Sequence, residues 1–264
     1  MFFSSWCFFK FSKDAAVGVV LFSIFIYFGL TNMPWLPLIF IYGLIGYRIG
    51  GFKLSLTIIA SFMFITFTGV LPQALLSIYL CGIAVIISFI VGASLGIWAA
   101  HNDKVSAFMR PINDTMQTMP SFVILIPFVM FFGIGEFTAL LAIIAYAFVP
   151  AMRYTEHGLR NLPETVIEAA RMIGCSQTQL LWKVKIPLAM PVIMLGLNQT
   201  IMFGLAMLVI AALVGTTGLG QLIYIGLSKA DFGTGMISGV SIALIAIIFD
   251  RTTQAWRIKL EKKT

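Results

Sequence analysis

The sequence predicts an all-α polytopic membrane protein with about seven or eight transmembrane helices and one polar helical loop kept out of the bilayer. Three observations predict it. Of 264 residues, 60% are hydrophobic and 10% charged, and the mean hydropathy is +1.01, far from the composition of a water-soluble globular domain. The apolar residues gather into runs of membrane-crossing length, and the Lys and Arg residues gather almost wholly between alternate runs. A crossing helix takes about 20 residues, so the chain has room for about six to eight spans and for no separate soluble domain. The net charge of +7 would suit nucleic acid only as a basic face on a folded surface. Here the charges sit in loops, so nucleic acid is not expected as a partner.

The first stretch, residues 1–14, mixes Phe2, Phe3, Trp6, Phe8 and Phe9 with Lys10 and Lys13 and is expected at headgroup depth. Residues 15–30 form the first apolar run. No small-residue cleavage site follows it, so it reads as a retained span, not a signal peptide. Further spans are expected over residues 35–47, 54–71, 74–100, 119–132, 137–152, 191–214 and 235–249. The 35–47 run covers only about 20 Å of a core about 30 Å thick. Either it extends to Gly50, or it forms a re-entrant pair with its neighbour. Pro127 should kink the 119–132 run, and Gly133 with Gly135 should join it to the next run as a tight hairpin.

Placing the amino terminus inside tests this layout. Sixteen basic residues, from Lys10 to Lys263, then fall in cytoplasmic segments, and Lys229 alone falls outside. The carboxyl terminus is therefore expected in the cytoplasm. If the short second run fails to cross, the amino terminus moves outside and everything after Arg48 keeps its side.

No charged residue falls in the middle of a predicted span. This counts against a proton-coupled transporter and leaves a sodium-coupled one using backbone carbonyls open. Asn198, Gln199 and Thr200 are the most polar group within a span. Two readings of it stand, a lining for a substrate path and hydrogen-bonded glue between helices. Small residues at four-residue spacing, Gly92 with Gly96 and Gly235 with Gly239, permit close helix crossing. Cys7, Cys81 and Cys175 have no metal-ligand spacing and no expected disulfide, Cys81 lying near the outer face. His101 and His157 have no nucleophile and acid beside them, so no catalytic residue is visible. The glycine-rich stretch from Gly215 to Gly220 lacks the lysine of a phosphate-binding loop.

The long polar stretch between spans, residues 161–187, carries most of the functional information. Val166, Ala169, Ala170 and Ile173 form one stripe on a short helix with Pro163 in its first turn. Gly174 can take the left-handed conformation that ends a helix, and Ser176 with Gln179 reads as a capping box for a second helix bearing Leu180, Leu181 and Val184. Pro187 is expected to close that helix. An amphipathic loop lying on the bilayer surface is the competing reading.

Written as E-A-A-x3-G-x9-V-x-I-P from Glu168 to Pro187, the stretch resembles the cytoplasmic "EAA" loop of permease subunits of ATP-binding-cassette importers, whose usual ending is I-x-L-P. Val184 and Ile186 are departures. The resemblance continues over roughly residues 71–256: Asp114, Thr118 and Met119-Pro120-Ser121-Phe122 through Leu125-Ile126-Pro127, then Gly133-Ile134-Gly135, Gly196 with Asn198 and Gln199, Leu213 to Gly220, and Asp250, Arg251, Thr253 and Gln254. These are similar to segments of the osmoprotectant subgroup, which serves glycine betaine, proline betaine, choline and carnitine. The first seventy residues match less well.

The resemblance implies a type I importer fold in the bacterial inner membrane, divided into less certain segments at 1–70, a permease core at 71–256 and a basic tail at 257–264. It implies that Glu168, Ala169, Ala170, Gly174 and Pro187 couple the chain to a cytoplasmic ATPase, which carries the ATP and magnesium, this chain binding no cofactor or metal. A substrate-binding protein delivers the ligand to the outer face. One coupling loop per chain implies a homodimer embedded in lipid. Phe122 and Phe203 are expected to flank methyl groups of a betaine-like substrate while Asn198 and Gln199 hydrate its carboxylate. The alternatives are an importer for another small solute such as an amino acid, and a channel or scaffold that uses the loop to bind a partner.

Overall fold

A computed structural model describes residues 35–261, and every described secondary-structure element is helical. The predicted headgroup segment and the predicted span at residues 15–30 lie outside the described residues. The helices are α1 (Trp35–Phe67), α2 (Leu71–His101), α3 (Asp103–Thr118), α4 (Ser121–Phe132), α5 (Glu136–Arg160), α6 (Glu164–Met172), α7 (Gln177–Val214), α8 (Leu219–Ser228) and α9 (Phe232–Glu261).

Helix α1 is two antiparallel arms, residues 35–50 and 52–67, folded back at Gly51, whose φ of 78° is open to glycine at little cost. Tyr42 stacks on Phe62 with ring centroids 5.2 Å apart, and the Ser55 hydroxyl donates to the Gly43 carbonyl at 2.9 Å. The first arm extends to Gly50, as one of the two sequence readings had it, and spans about 24 Å. The second arm stops at Phe67, short of the expected Leu71, because Leu71-Pro72 starts α2, where a proline at the first turn costs no hydrogen bond.

Counting the two arms separately and the bent α3–α4 pair once, seven segments among the described residues run between the ends of the bundle. The pair bends by 103° at Met119-Pro120. Sequence reasoning put the kink at Pro127, but α4 runs through that residue. Proline disfavours the helical conformation for the residue before it, and Met119 is accordingly extended (ψ 136°). Helix α3, amphipathic and capped by the Asn102 side chain, was not foreseen, and neither was α8.

The core forms where α2, α5, α7 and α9 pack, around Leu75, Ile143, Met207, Leu208 and Ile245. Lipid is as apolar as leucine, so close van der Waals fit must hold these helices together. Gly92 and Gly96 supply it. A Cβ on Gly92 would lie 2.5 Å from the Phe148 carbonyl, and one on Gly96 would lie 2.6 Å from that of Met152, so α2 and α5 cross backbone to backbone. Gly235 likewise meets Gly226 of α8, while Gly239 has open space beside it. Cys81 is buried among the helices, its sulfur 3.3 Å from where a Cβ on Gly204 would stand.

The basic residues collect at one end of the bundle. That end holds the α1 tip with Arg48 and Lys53, the last turns of α5 with Arg153 and Arg160, the 161–187 loop, and the end of α9 with Arg251 and Lys259. The opposite end carries Gly133 to Glu136, the turn from Gly215 to Gly218, and Lys229.

Candidate coupling site and path

Helix α6 follows Pro163, which stands just before its first turn as the N-cap. Its far end is fixed by two hydrogen bonds, Cys175 N–H to Ala170 O at 3.3 Å and Gly174 N–H to Arg171 O at 2.9 Å. This is a Schellman ending with Gly174 at the left-handed position (φ 85°). Ser176 and Gln179 then cap each other reciprocally, at 3.3 and 3.0 Å, and start α7. Both turn signals read from the sequence are therefore present.

Pro187 does not close the second helix. The chain widens into a π-helical turn over Leu180–Lys185, with Ile186 N–H bonded to Leu181 O, and continues through Pro187 and Pro191 to Val214. A proline ring clashes with the carbonyl four residues earlier in an α-helix, and the wider turn moves that carbonyl aside.

Of the predicted stripe only Ala170 is buried; Val166, Ala169 and Ile173 are exposed, Ile173 at 84%. Met172 and Trp182 extend this uncovered apolar surface, and Glu168 stands exposed beside it. Helix α6 thus has a fixed C-terminal turn and a bare apolar face, the kind of exposed surface that marks an interaction site.

Sequence reasoning missed the charged network behind this helix. Arg160, four residues before α6, pairs with Asp103 at 2.8 Å and Glu156 at 3.0 Å and donates to the Ala99 carbonyl at 2.6 Å. Arg153 pairs with Asp114, and Ser106 donates to Glu156. The start of α3 and the ends of α2 and α5 are thereby tied together directly upstream of α6. The i, i+4 spacing of Glu156 and Arg160 was the available signal. A cleft of about 610 Å³ opens here, lined by Arg110, Asp114, Arg153, His157 and Asn161.

The expected path residues are placed separately. Phe122 stands exposed in the first turn of α4, and Phe203 stacks on Tyr146 of α5 at 5.1 Å. Of the two readings open for Asn198, interhelical bonding is the one its geometry displays: its amide donates to Asp250 at 2.9 Å and accepts from the Thr253 hydroxyl at 2.6 Å. Gln254 adds two bonds to the same carboxylate, at 2.9 and 2.8 Å. Thr200 is buried and bonds the Gly196 carbonyl of its own helix, and Gly196 itself marks the crossing of α7 with Tyr154 of α5. Gln199 takes no part in this lock. Two of the sequence segments singled out above therefore meet in space and bind each other.

Residues 92–256 match the family of binding-protein-dependent transport system inner membrane components. The chain belongs to this family. It is 40% identical over 226 residues to the glycine betaine/proline betaine permease ProW of Escherichia coli, covering 86% of this chain and 64% of that protein. It is 37% identical over 236 residues to the glycine betaine permease OpuAB of Bacillus subtilis, covering 89% and 83%. With the trimethylamine N-oxide permease TmoV of Pelagibacter ubique the identity is 42% over 82% of this chain and 30% of that one. The chain thus spans less than two thirds of the length of several of the curated relatives it matches. Its fold is that of a chain of the inward-facing methionine transporter MetNI, with a TM-score of 0.64 at 18% identity over 72% of this chain and 95% of the other. A family member of this fold is a multi-pass inner membrane transport component, and the type I importer fold expected from the sequence is the one found.

Proposed function

We propose that this chain is the membrane subunit of an ATP-driven importer for glycine betaine or a related methylated, zwitterionic compatible solute, which a binding protein delivers. The observation that carries the reading is α6: a capped helix with a bare apolar face, at the basic end of a bundle whose relatives are betaine permeases. The basic end, with the carboxyl terminus, faces the cytoplasm. There Glu168, Ala169, Ala170 and Gly174 present α6 to a separate ATPase that holds ATP and magnesium, and Pro187 with its π turn joins the loop to α7. The binding protein docks at the opposite end. One docking helix per chain and two ATPases per importer call for two copies of the chain. The charged ties from Arg160 and Arg153 pass the movement of α6 to α3 and so to the bend at Pro120, beside Phe122.

The path needs no buried charge, because a zwitterion carries none net and a ligand held tightly midway would not leave. Phe122 and Phe203 flank the methyl groups, Gln199 meets the carboxylate, and Asn198 holds α7 against α9 beside it. The test is uptake of radiolabelled glycine betaine by vesicles containing the chain with its ATPase and binding protein. Wild type is expected to accumulate it only with ATP. Glu168→Ala and Gly174→Val should assemble and fail to transport, and normal uptake by both would remove the coupling role. Transport confined to an unmethylated amino acid would end the substrate assignment.

A further inference from the structure

The D-R-x-T-Q segment of α9 is only half explained by its lock with Asn198. Asp250 and Thr253 bond to Asn198, but Arg251 does not: its side chain is 63% exposed and its Nε is 4.0 Å from Asp250, whose oxygens accept from Asn198 and Gln254. Arg251 instead lines a cleft of about 280 Å³ with Lys53 from beyond the α1 tip. A second cleft, of about 460 Å³, adjoins it, lined by Arg48 and Lys259. The two meet at Gly50, Ala255 and Ile258, which line both. They form one groove along the seam between α1 and α9. Lys259 Nζ donates to the Arg48 carbonyl and joins its rims. Four cations therefore converge on one groove, and among the described residues no carboxylate lines either cleft.

The walls are apolar. Ile247 and Ile258 line the groove as exposed apolar side chains, with the buried Leu54 at its floor. Cations scattered to set topology need no shared groove, and a site for a free anion needs no apolar wall. We propose that this seam binds one anionic phospholipid, its phosphate held by Arg48, Lys53, Arg251 and Lys259 and an acyl chain laid on the exposed Ile247 and Ile258. Gly50 lets the α1 tip close on α9 and so shapes the seam, since a Cβ there would stand 3.1 Å from that of Ala255 and 2.5 Å from Leu54 Cδ2. The lipid bridges the hairpin to the helix that carries the Asn198 lock.

The test uses the full chain in detergent, equilibrated with equal amounts of phosphatidylglycerol and phosphatidylcholine, with retained lipid counted by native mass spectrometry. One phosphatidylglycerol per chain is expected. Each neutralised cation should lower the preference about fivefold, the equivalent of about 1 kcal/mol, and R251Q with K259Q about 25-fold on the same basis. The charge-conserving pair R251K with K259R should keep the lipid, and so should K229Q at the other end of the bundle. A photoreactive phosphatidylglycerol bound to wild type should label the peptides carrying Ile247 and Ile258, a readout that does not depend on any variant folding. Equal retention of phosphatidylcholine, an unchanged R251Q/K259Q protein, or labelling elsewhere would overturn the site. Displacement of the lipid by millimolar inorganic phosphate would show a free-anion site and overturn it too. No transport partner enters these measurements, so their failure leaves the importer reading untouched.

Discussion

Replacing Asn198 with alanine removes two hydrogen bonds between α7 and α9, and the structure indicates that they are unequal. The single Thr253 hydroxyl proton can turn to the Phe249 or Asp250 carbonyl, each at 2.9 Å, so losing the Asn198 oxygen costs it little. Asp250 keeps both Gln254 bonds and loses a charge-assisted donor at 2.9 Å. Such a bond contributes about 1.5–3 kcal/mol in general, whereas interhelical bonds measured within membranes average about 0.6 and reach about 1.7 kcal/mol. The Asp250 side chain is 27% exposed, so water replaces part of what is lost. A coupling of about 1 kcal/mol between Asn198→Ala and Asp250→Ala is therefore expected in a double-mutant cycle, read from reversible unfolding of the reconstituted chain. Gln199→Leu should show no coupling with Asp250→Ala while lowering transport. A coupling under about 0.3 kcal/mol would be within ordinary additivity and would refute the lock. Coupling of Gln199 to Asp250 would refute its assignment to the path.

Gly96→Val should destabilise the α2–α5 crossing by at least the cost of overpacking, about 1–3 kcal/mol, since its Cβ meets a backbone carbonyl at 2.6 Å that no rotamer can move. Gly239→Ala, with nothing within 4 Å, should stay within about 0.5 kcal/mol of wild type in the same unfolding assay. A cysteine at Thr217 should react with an impermeant thiol reagent from outside the cell and one at Thr178 only from inside; the reverse pattern would invert the orientation. Asp231 accepts from the Thr234 hydroxyl at 2.7 Å and from its N–H at 3.2 Å, and these bonds hold its carboxyl below the usual carboxylate range. Because the folded value is the lower one, the cap is in place above the ordinary carboxylate pKa and is lost as pH falls through the lowered one. Protection factors over residues 232–236, taken relative to the intrinsic exchange rate at each pH, should fall over that acid range in wild type, and Asp231→Asn should show no such fall.

Local chemistry was legible in the sequence wherever a residue type has one conformational use. Gly174 ends α6 and Ser176 with Gln179 starts α7, because a left-handed ending and a reciprocal cap are decided within five residues of chain. Apolar run length gave the spans for the same reason, each helix satisfying its own backbone in lipid. Proline was misread twice: Pro187 and Pro127 lie within helices while the break falls at Pro120. Whether a proline breaks a helix depends on whether neighbouring turns can widen and on what the bend packs against. Helix α8 escaped notice because a ten-residue, mostly apolar stretch fits a loop, a half-span or a short helix equally well.

The sequence by itself determined the class of molecule, the apolar runs that become its long helices and the two turns of the 161–187 loop, since each follows from hydrophobicity or turn chemistry along a short stretch. Only the tertiary structure decided what the polar residues touch. Asn198 meets Asp250 across 52 positions and Arg160 reaches the Ala99 carbonyl across 61. The partner of a side chain is set by which helices cross and at what angle, and that follows from where glycines such as Gly92, Gly96 and Gly196 let backbones meet, a condition on pairs of helices that no single stretch of chain contains.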